Sequence, residues 1–149
     1  MVTRRALLLA GGATLLAAGC GKDDEPESPA VSATSAMLRE LAAERALAGD
    51  LQGADGLAGR IGVRAAARAT RLAAAISSAG GRPHEAGEPS GDLSLASRHA
   101  REALEAHVAA LPSLTGSLRK MGADLVAESA ADAGLLGATS GTAFPGTPA

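Results

Sequence analysis

Glu44, His107, Glu128 and Asp132 are the residues of this 149-residue chain whose types and spacing best suit chemistry. Each falls on a helical stripe that otherwise reads as apolar. Glu44 lies between Leu41 and Ala48, His107 between Leu104 and Leu111, and Glu128 and Asp132 in line with Leu125 and Leu136. Carboxylates and an imidazole converging inside a helical bundle can ligate a metal or pass a proton. Burying such groups is costly unless they are paired. Three readings are therefore open. An apolar stripe is broad, so the simplest puts these residues at its edges, facing water. A second joins two of them in a structural pair such as Glu44–His107. The sharpest builds a metal or proton site at the bundle centre from Glu44, His107 and Glu128 or Asp132.

The second helical segment bears on that choice. Residues 56–83 contain no Asp, Glu, His or Cys, and so offer no ordinary metal ligand. A dinuclear bundle site takes a Glu from each of two helices and a Glu-x-x-His pair from each of the others. No Glu-x-x-His occurs in this chain, and the reversed His99-x-x-Glu102 lies off the apolar stripe. The second segment carries instead Arg60, Arg64, Arg68 and Arg71, spaced four, four and three apart. That spacing makes one basic ridge, expected on a solvated shoulder and pairing loosely with Glu40, Glu102 and Glu105. Its functional version is a docking surface for an anionic partner or for lipid headgroups. No nucleophile elbow, phosphate loop, zinc pattern or catalytic-triad spacing is present, so neither an enzyme nor a cofactor is expected.

Where these segments sit is indicated by Arg4 to Cys20. Arg4-Arg5 precede an apolar and small-residue run from Ala6 to Ala18, and Leu16-Ala17-Ala18-Gly19-Cys20 ends it. A charged start, a short apolar middle and a small-residue end describe a secretory signal peptide. The run is shorter than the roughly 20 residues a membrane-spanning helix needs, and Lys22-Asp23-Asp24-Glu25 follows it. The cysteine is the only one in the chain. The ending resembles the bacterial lipobox, in which cleavage before the cysteine precedes attachment of diacylglycerol to its thiol. The resemblance implies removal of residues 1–19 and a protein held by Cys20 at the extracytoplasmic face of the cell membrane. Thr3-Arg4-Arg5-Ala6-Leu7-Leu8 also resembles a twin-arginine export signal, although two arginines equally make an ordinary positive n-region.

Removing residues 1–19 leaves 130 residues, with 12 of the 14 basic residues against all 16 acidic ones. A net negative chain with one aromatic residue lacks both the basic field and the stacking platforms of a nucleic-acid binder. Residues 20–34 are expected to form a flexible spacer, on the strength of Asp23-Asp24-Glu25 and the prolines Pro26 and Pro29. Residues 137–149 have the same character, which leaves the lone Phe144 outside the core.

Residues 35–136 show helical periodicity in four segments and strand alternation in none. Met37, Leu41, Ala48 and Leu51 align in the first, and Leu57, Ile61, Ala65, Leu72 and Ile76 in the second. Leu93, Ala96, Ala100, Ala103 and Leu111 align in the third, and Leu114, Leu118, Met121, Leu125 and Leu136 in the fourth. Asp55 and Ser113 are placed to cap the second and fourth, Gly80-Gly81 to close the second, and Pro112 to stop the third. Residues 82–91 make the longest interior connection. The pattern predicts an all-α, antiparallel four-helix bundle, the alternative being three helices with the third only kinked at Pro112.

The lipobox, the acidic proline-containing spacer and a first helix reading Leu38-Arg39-Glu40-Leu41-Ala42-Ala43-Glu44-Arg45-Ala46-Leu47 resemble the ferritin-like-domain lipoproteins of high-GC Gram-positive bacteria. Residues 65–81 and 127–136 are similar to the later parts of that pattern. The resemblance implies a ferritin-like bundle. Such proteins place Glu and His in the second and fourth helices. The matching positions here hold Ala67, Arg68 and Arg71, then Ser129 and Asp132, and Glu44 is the family-type acid kept. The expected function is a lipid-anchored, non-enzymatic interaction or scaffold module with a protein partner or a second copy of itself. The alternatives are a metal-binding or redox protein with a reduced site, and a carrier of a small ligand between Ala-lined helices.

Overall fold

A computed structural model describes residues 29–139. The signal segment, Cys20, residues 21–28 of the expected spacer, and Phe144 lie outside the described residues. Four helices account for most of the described chain: α1 (Pro29–Asp50), α2 (Gly56–Ser78), α3 (Leu93–Ala110) and α4 (Gly116–Thr139), with a 3-10 turn at Leu111–Ser113. There is no strand among the described residues, and none of these helices is long and apolar enough to cross a membrane. The first helix starts at Pro29, so residues 29–34, expected in the spacer, belong to the bundle. The fourth runs three residues past the expected boundary at Leu136.

The helix ends show why the chain turns where it does. Gly80 has φ +80°, and the amides of Gly80 and Gly81 donate back to Ser77 O and Ile76 O at 3.0 and 2.9 Å. This is a Schellman closure, which needs a residue tolerant of positive φ. Asp92 caps α3 by accepting from the Ser94 amide at 2.9 Å. Asp55 and Ser113 do not act as expected. The Asp55 side chain makes no cap bond. Ser113 sits in the 3-10 turn, where its hydroxyl accepts from Ser32 at 3.4 Å. Pro112 does end α3, and α4 restarts separately after Thr115, so four helices stand rather than three.

The packing is antiparallel around the whole ring. Leu51 lies against Gly62 and Thr34 against Gly81, so α1 and α2 run in opposite directions. Ser32 meets Ser113 and Asp50 meets His99, which sets α3 against α1. Arg71 meets Glu128 and Arg64 meets Asp132, which sets α4 against α2. Such a ring requires residues 79–92 to travel the length of α1. They do: Arg45 donates to His84 O on the way, and the Gly91 amide reaches Gly49 O at 3.1 Å. At Gly62 a Cβ would stand 2.8 Å from Leu51 Cβ, so only glycine permits α1 and α2 to approach this closely there.

Two apolar clusters fill the interior. One, around Met37, Leu41, Leu72, Ile76, Leu114 and Leu125, occupies the end where α1 begins. The other, around Leu47, Leu51, Ile61, Ala96 and Leu136, occupies the opposite end. Between them lies a layer that is not apolar.

Candidate functional site: a buried ion layer

Glu40, Glu44, Arg68, His107, Ser129 and Asp132 make up that layer, and none is more than 2% exposed. All four helices contribute. Glu40 and Glu44 are one turn apart on α1 and so share a face. Arg68 follows Ile61 and Ala65 on the buried side of α2. His107 occupies the corresponding place on α3, between Ala103 and Ala110. Ser129 and Asp132 come from α4.

The contacts form one chain across the bundle. His107 Nδ1 stands 2.8 Å from Glu40 Oε1, and its Nε2 stands 2.6 Å from Glu44 Oε1. Glu44 Oε1 also accepts from Arg68 Nε at 2.7 Å and Ser129 Oγ at 3.0 Å. Arg68 Nη1 then donates to Asp132 Oδ2 at 2.7 Å. Asp132 Oδ1 receives Nε of the half-exposed Arg64 at 3.0 Å, and its Nη2 as well. Three carboxylates therefore face Arg64, Arg68 and His107, and the charges balance when the imidazole is protonated.

The geometry favours that protonation state. Both ring nitrogens face carboxylate oxygens, and both can donate only in the imidazolium. Burial works against the charged ring, but the hydrogen bonds to Glu40 and Glu44 and the charges of both outweigh it. The His107 pKa is held above its ordinary value. Burial likewise opposes ionisation of Glu44. Donation from His107 and Arg68, with their positive charges, outweighs it and keeps the carboxyl below its ordinary range. Burial also opposes charge on Arg68, and Glu44 and Asp132 reverse that effect. Glu40 Oε2, Glu44 Oε2 and Arg68 Nη2 are buried without a hydrogen-bond partner among the described residues.

Three of the four residues singled out from the sequence thus meet: Glu44 and His107 directly, and Asp132 through Arg68. They do not sit at stripe edges facing water. Glu128 does; it pairs at 2.5 Å with Arg71 at the rim, where both side chains are about two-fifths exposed. The arginine ridge is solvated at Arg60, Arg64 and Arg71 but not at Arg68. Arg68 is interior, Arg64 and Arg71 reach across to α4, and Arg60 alone is exposed with no ion pair among the described residues. The partners of Arg64, Arg68 and Arg71 are Glu44, Asp132 and Glu128, whereas Glu40 pairs with His107 and Glu102 with Arg98. Glu40 is the layer member whose role the spacing did not single out, although its distance of four residues from Glu44 marks a shared face.

The cations that meet these carboxylates are already part of the protein. The cation beside Glu44 and Asp132 is a guanidinium, and one Glu44 oxygen already takes three donors. No group of three or more His, Cys, Asp or Glu among the described residues has ligand geometry.

A second, smaller polar cluster lies toward the end where α1 finishes. Asp50 is buried and accepts from Ser90 Oγ and His99 Nδ1. It fastens the crossover and the start of α3 to α1. The serine is on the carboxylate rather than the imidazole, so the three do not make a hydrolytic triad. Separately, a groove of about 620 Å³ runs between α1 and α2 beneath the crossover, lined by Ala48, Gly62, Val63, Ala66 and Pro89. It lies outside the ion layer. The chain matches no protein-family pattern, no curated protein and no solved structure.

Proposed function

We propose that this protein is a lipoprotein anchored through Cys20 to the extracytoplasmic face of the cell membrane, carrying a ferritin-like bundle that works as a non-enzymatic interaction or scaffold module. One observation carries the second half of the reading: the groups able to do chemistry are spent on each other. His107, Glu40, Glu44, Arg68 and Asp132 are closed from solvent and form a charge-balanced chain, so none presents a free acid, base or nucleophile to a substrate. One long crossover in an otherwise up-and-down ring supports the ferritin-like assignment. The tether rests on the residues around Cys20.

The metal-binding alternative draws on a specific observation, the two buried carboxylate oxygens, Glu40 Oε2 and Glu44 Oε2, that have no partner. Metal analysis of protein purified without an affinity tag separates the readings. The scaffold reading expects no stoichiometric iron, manganese, zinc or copper. Metal at one equivalent that is lost in Glu44→Ala/His107→Ala would overturn it. Intact mass tests the tether, which requires a chain beginning at a diacylglyceryl-modified Cys20.

A further inference from the structure

The two ends of the bundle differ in charge, and the difference has a direction. At the end where α1 begins, the chain segments 29–38, 76–83 and 110–123 contain no Asp or Glu, and the first acid beyond them on α4 is Asp124, one turn past Lys120. They contribute Arg82, Arg119 and Lys120, all exposed. None of these three side chains has a hydrogen-bond or ion-pair partner among the described residues. The contacts of Ser32 with Ser113 and of Thr34 with Gly81 bring the ends of α2 and α3 to the start of α1. Arg82 and the first turn of α4 therefore share that end. Val31, half-exposed, and Pro112 stand on the same face. The opposite end carries both signs, with Asp55, Glu88 and Asp92 exposed beside Arg60 and Arg98.

We infer that this acid-free basic end is a docking surface for anionic lipid headgroups. The inference rests on the lipoprotein reading, which supplies the reason the surface would be used. Pro29 is nine residues from Cys20, so even a fully extended connection holds the start of α1 within about 30 Å of the lipid surface. A basic residue close to an anionic membrane favours the bound state about fivefold. Three such residues on the tethered face orient a bundle that a tether alone would not. The arginines of α2 do not serve this purpose, because Arg64, Arg68 and Arg71 are engaged by α4 and Arg60 stands at the opposite end. The acids Asp23, Asp24 and Glu25 of the spacer are the rival occupant of the same surface.

The test uses the mature lipidated protein on vesicles of phosphatidylcholine alone and of phosphatidylcholine mixed with phosphatidylglycerol. A lipid-blocked Cys20 leaves a Ser117→Cys variant with one free thiol for a fluorophore at the basic end. Gln52→Cys labels the far end. A headgroup-bound quencher should quench the Ser117 label several-fold more on the anionic vesicles than on the neutral ones, and leave the Gln52 label equal on both. Added salt should remove the difference, as should Arg82→Glu/Arg119→Glu/Lys120→Glu. Equal quenching at Ser117 on both vesicles, the result expected if the spacer acids cover this end, would overturn the docking surface. So would a difference that survives the triple charge reversal. Intact mass of the same sample separates the two readings: a lipidated chain with an indifferent label defeats docking alone, and an unlipidated chain defeats the tether and docking with it.

Discussion

Arg68 and Arg71 are one helical turn apart on α2, and each pairs with a carboxylate of α4 at nearly the same distance, 2.7 Å to Asp132 and 2.5 Å to Glu128. Their energetics are not alike. Arg71 and Glu128 are each about two-fifths exposed, so water offers both a substitute partner and screens the pair. Arg68 and its two carboxylate partners have no such recourse, since all three are closed from solvent. Removing one member of a buried pair strands the others in low dielectric. Contact distance alone therefore says little about what an ion pair contributes; burial separates the two cases.

The largest effect should come from Arg68→Leu, which leaves Glu44 and Asp132 without their central cation. Urea unfolding should show a loss of about 3–5 kcal/mol, enough to threaten a bundle of this size. Asp50→Ala ranks next. It removes the acceptor shared by Ser90 and His99 at a site that is buried but close to the surface, and should cost about 2 kcal/mol. Arg71→Ala should change stability by less than about 1 kcal/mol, and less still at high salt. If Arg71→Ala costs as much as Arg68→Leu, the comparison fails.

The same contrast has a pH signature. The raised pKa of His107 means the folded state holds its proton more tightly than the unfolded chain. Its stabilisation is complete below the ordinary value of 6.5 and is lost as pH rises through the folded value. Glu44 is shifted downward. Its stabilisation is complete above the ordinary value of 4.5 and is lost as pH falls through the folded value. The layer should stabilise the bundle most between those two ordinary values, with unfolding midpoints falling on either side. In Glu40→Gln/His107→Gln the alkaline fall should flatten.

Much of the fold was legible because the apolar spacing is regular and the stops are chemical. Gly80-Gly81 provide a positive-φ closure and Pro112 removes a helix donor, whereas the cap expected at Asp55 makes no side-chain bond and the one that forms, at Asp92, was not singled out. The pairing of Glu44 with His107 was also within reach, since both lie on their stripes. The role of Arg68 was harder to read. Its spacing of four from Arg60 to Arg64 and from Arg64 to Arg68 suggested one solvated ridge. Yet Ile61, Ala65, Arg68 and Leu72, spaced four, three and four, put the same residue squarely on the buried stripe. Only the positions of α1 and α4 decide between those periodicities, because a guanidinium enters a core only where carboxylates from other helices meet it. Glu40 escaped for the same reason: its partner lies 67 residues away on α3. The basic end is likewise a property of assembly, gathered from Arg82, Arg119 and Lys120 on two separate segments.

The most direct test of a self-neutralised core is the ionisation of His107, the one member of the layer whose charge is optional. Nitrogen-15 chemical shifts of its imidazole should report two N–H groups at neutral pH, in a ring that loses its proton only above the ordinary histidine range. A ring carrying one N–H at neutral pH, beside ionised Glu40 and Glu44, would contradict the charge-balanced layer.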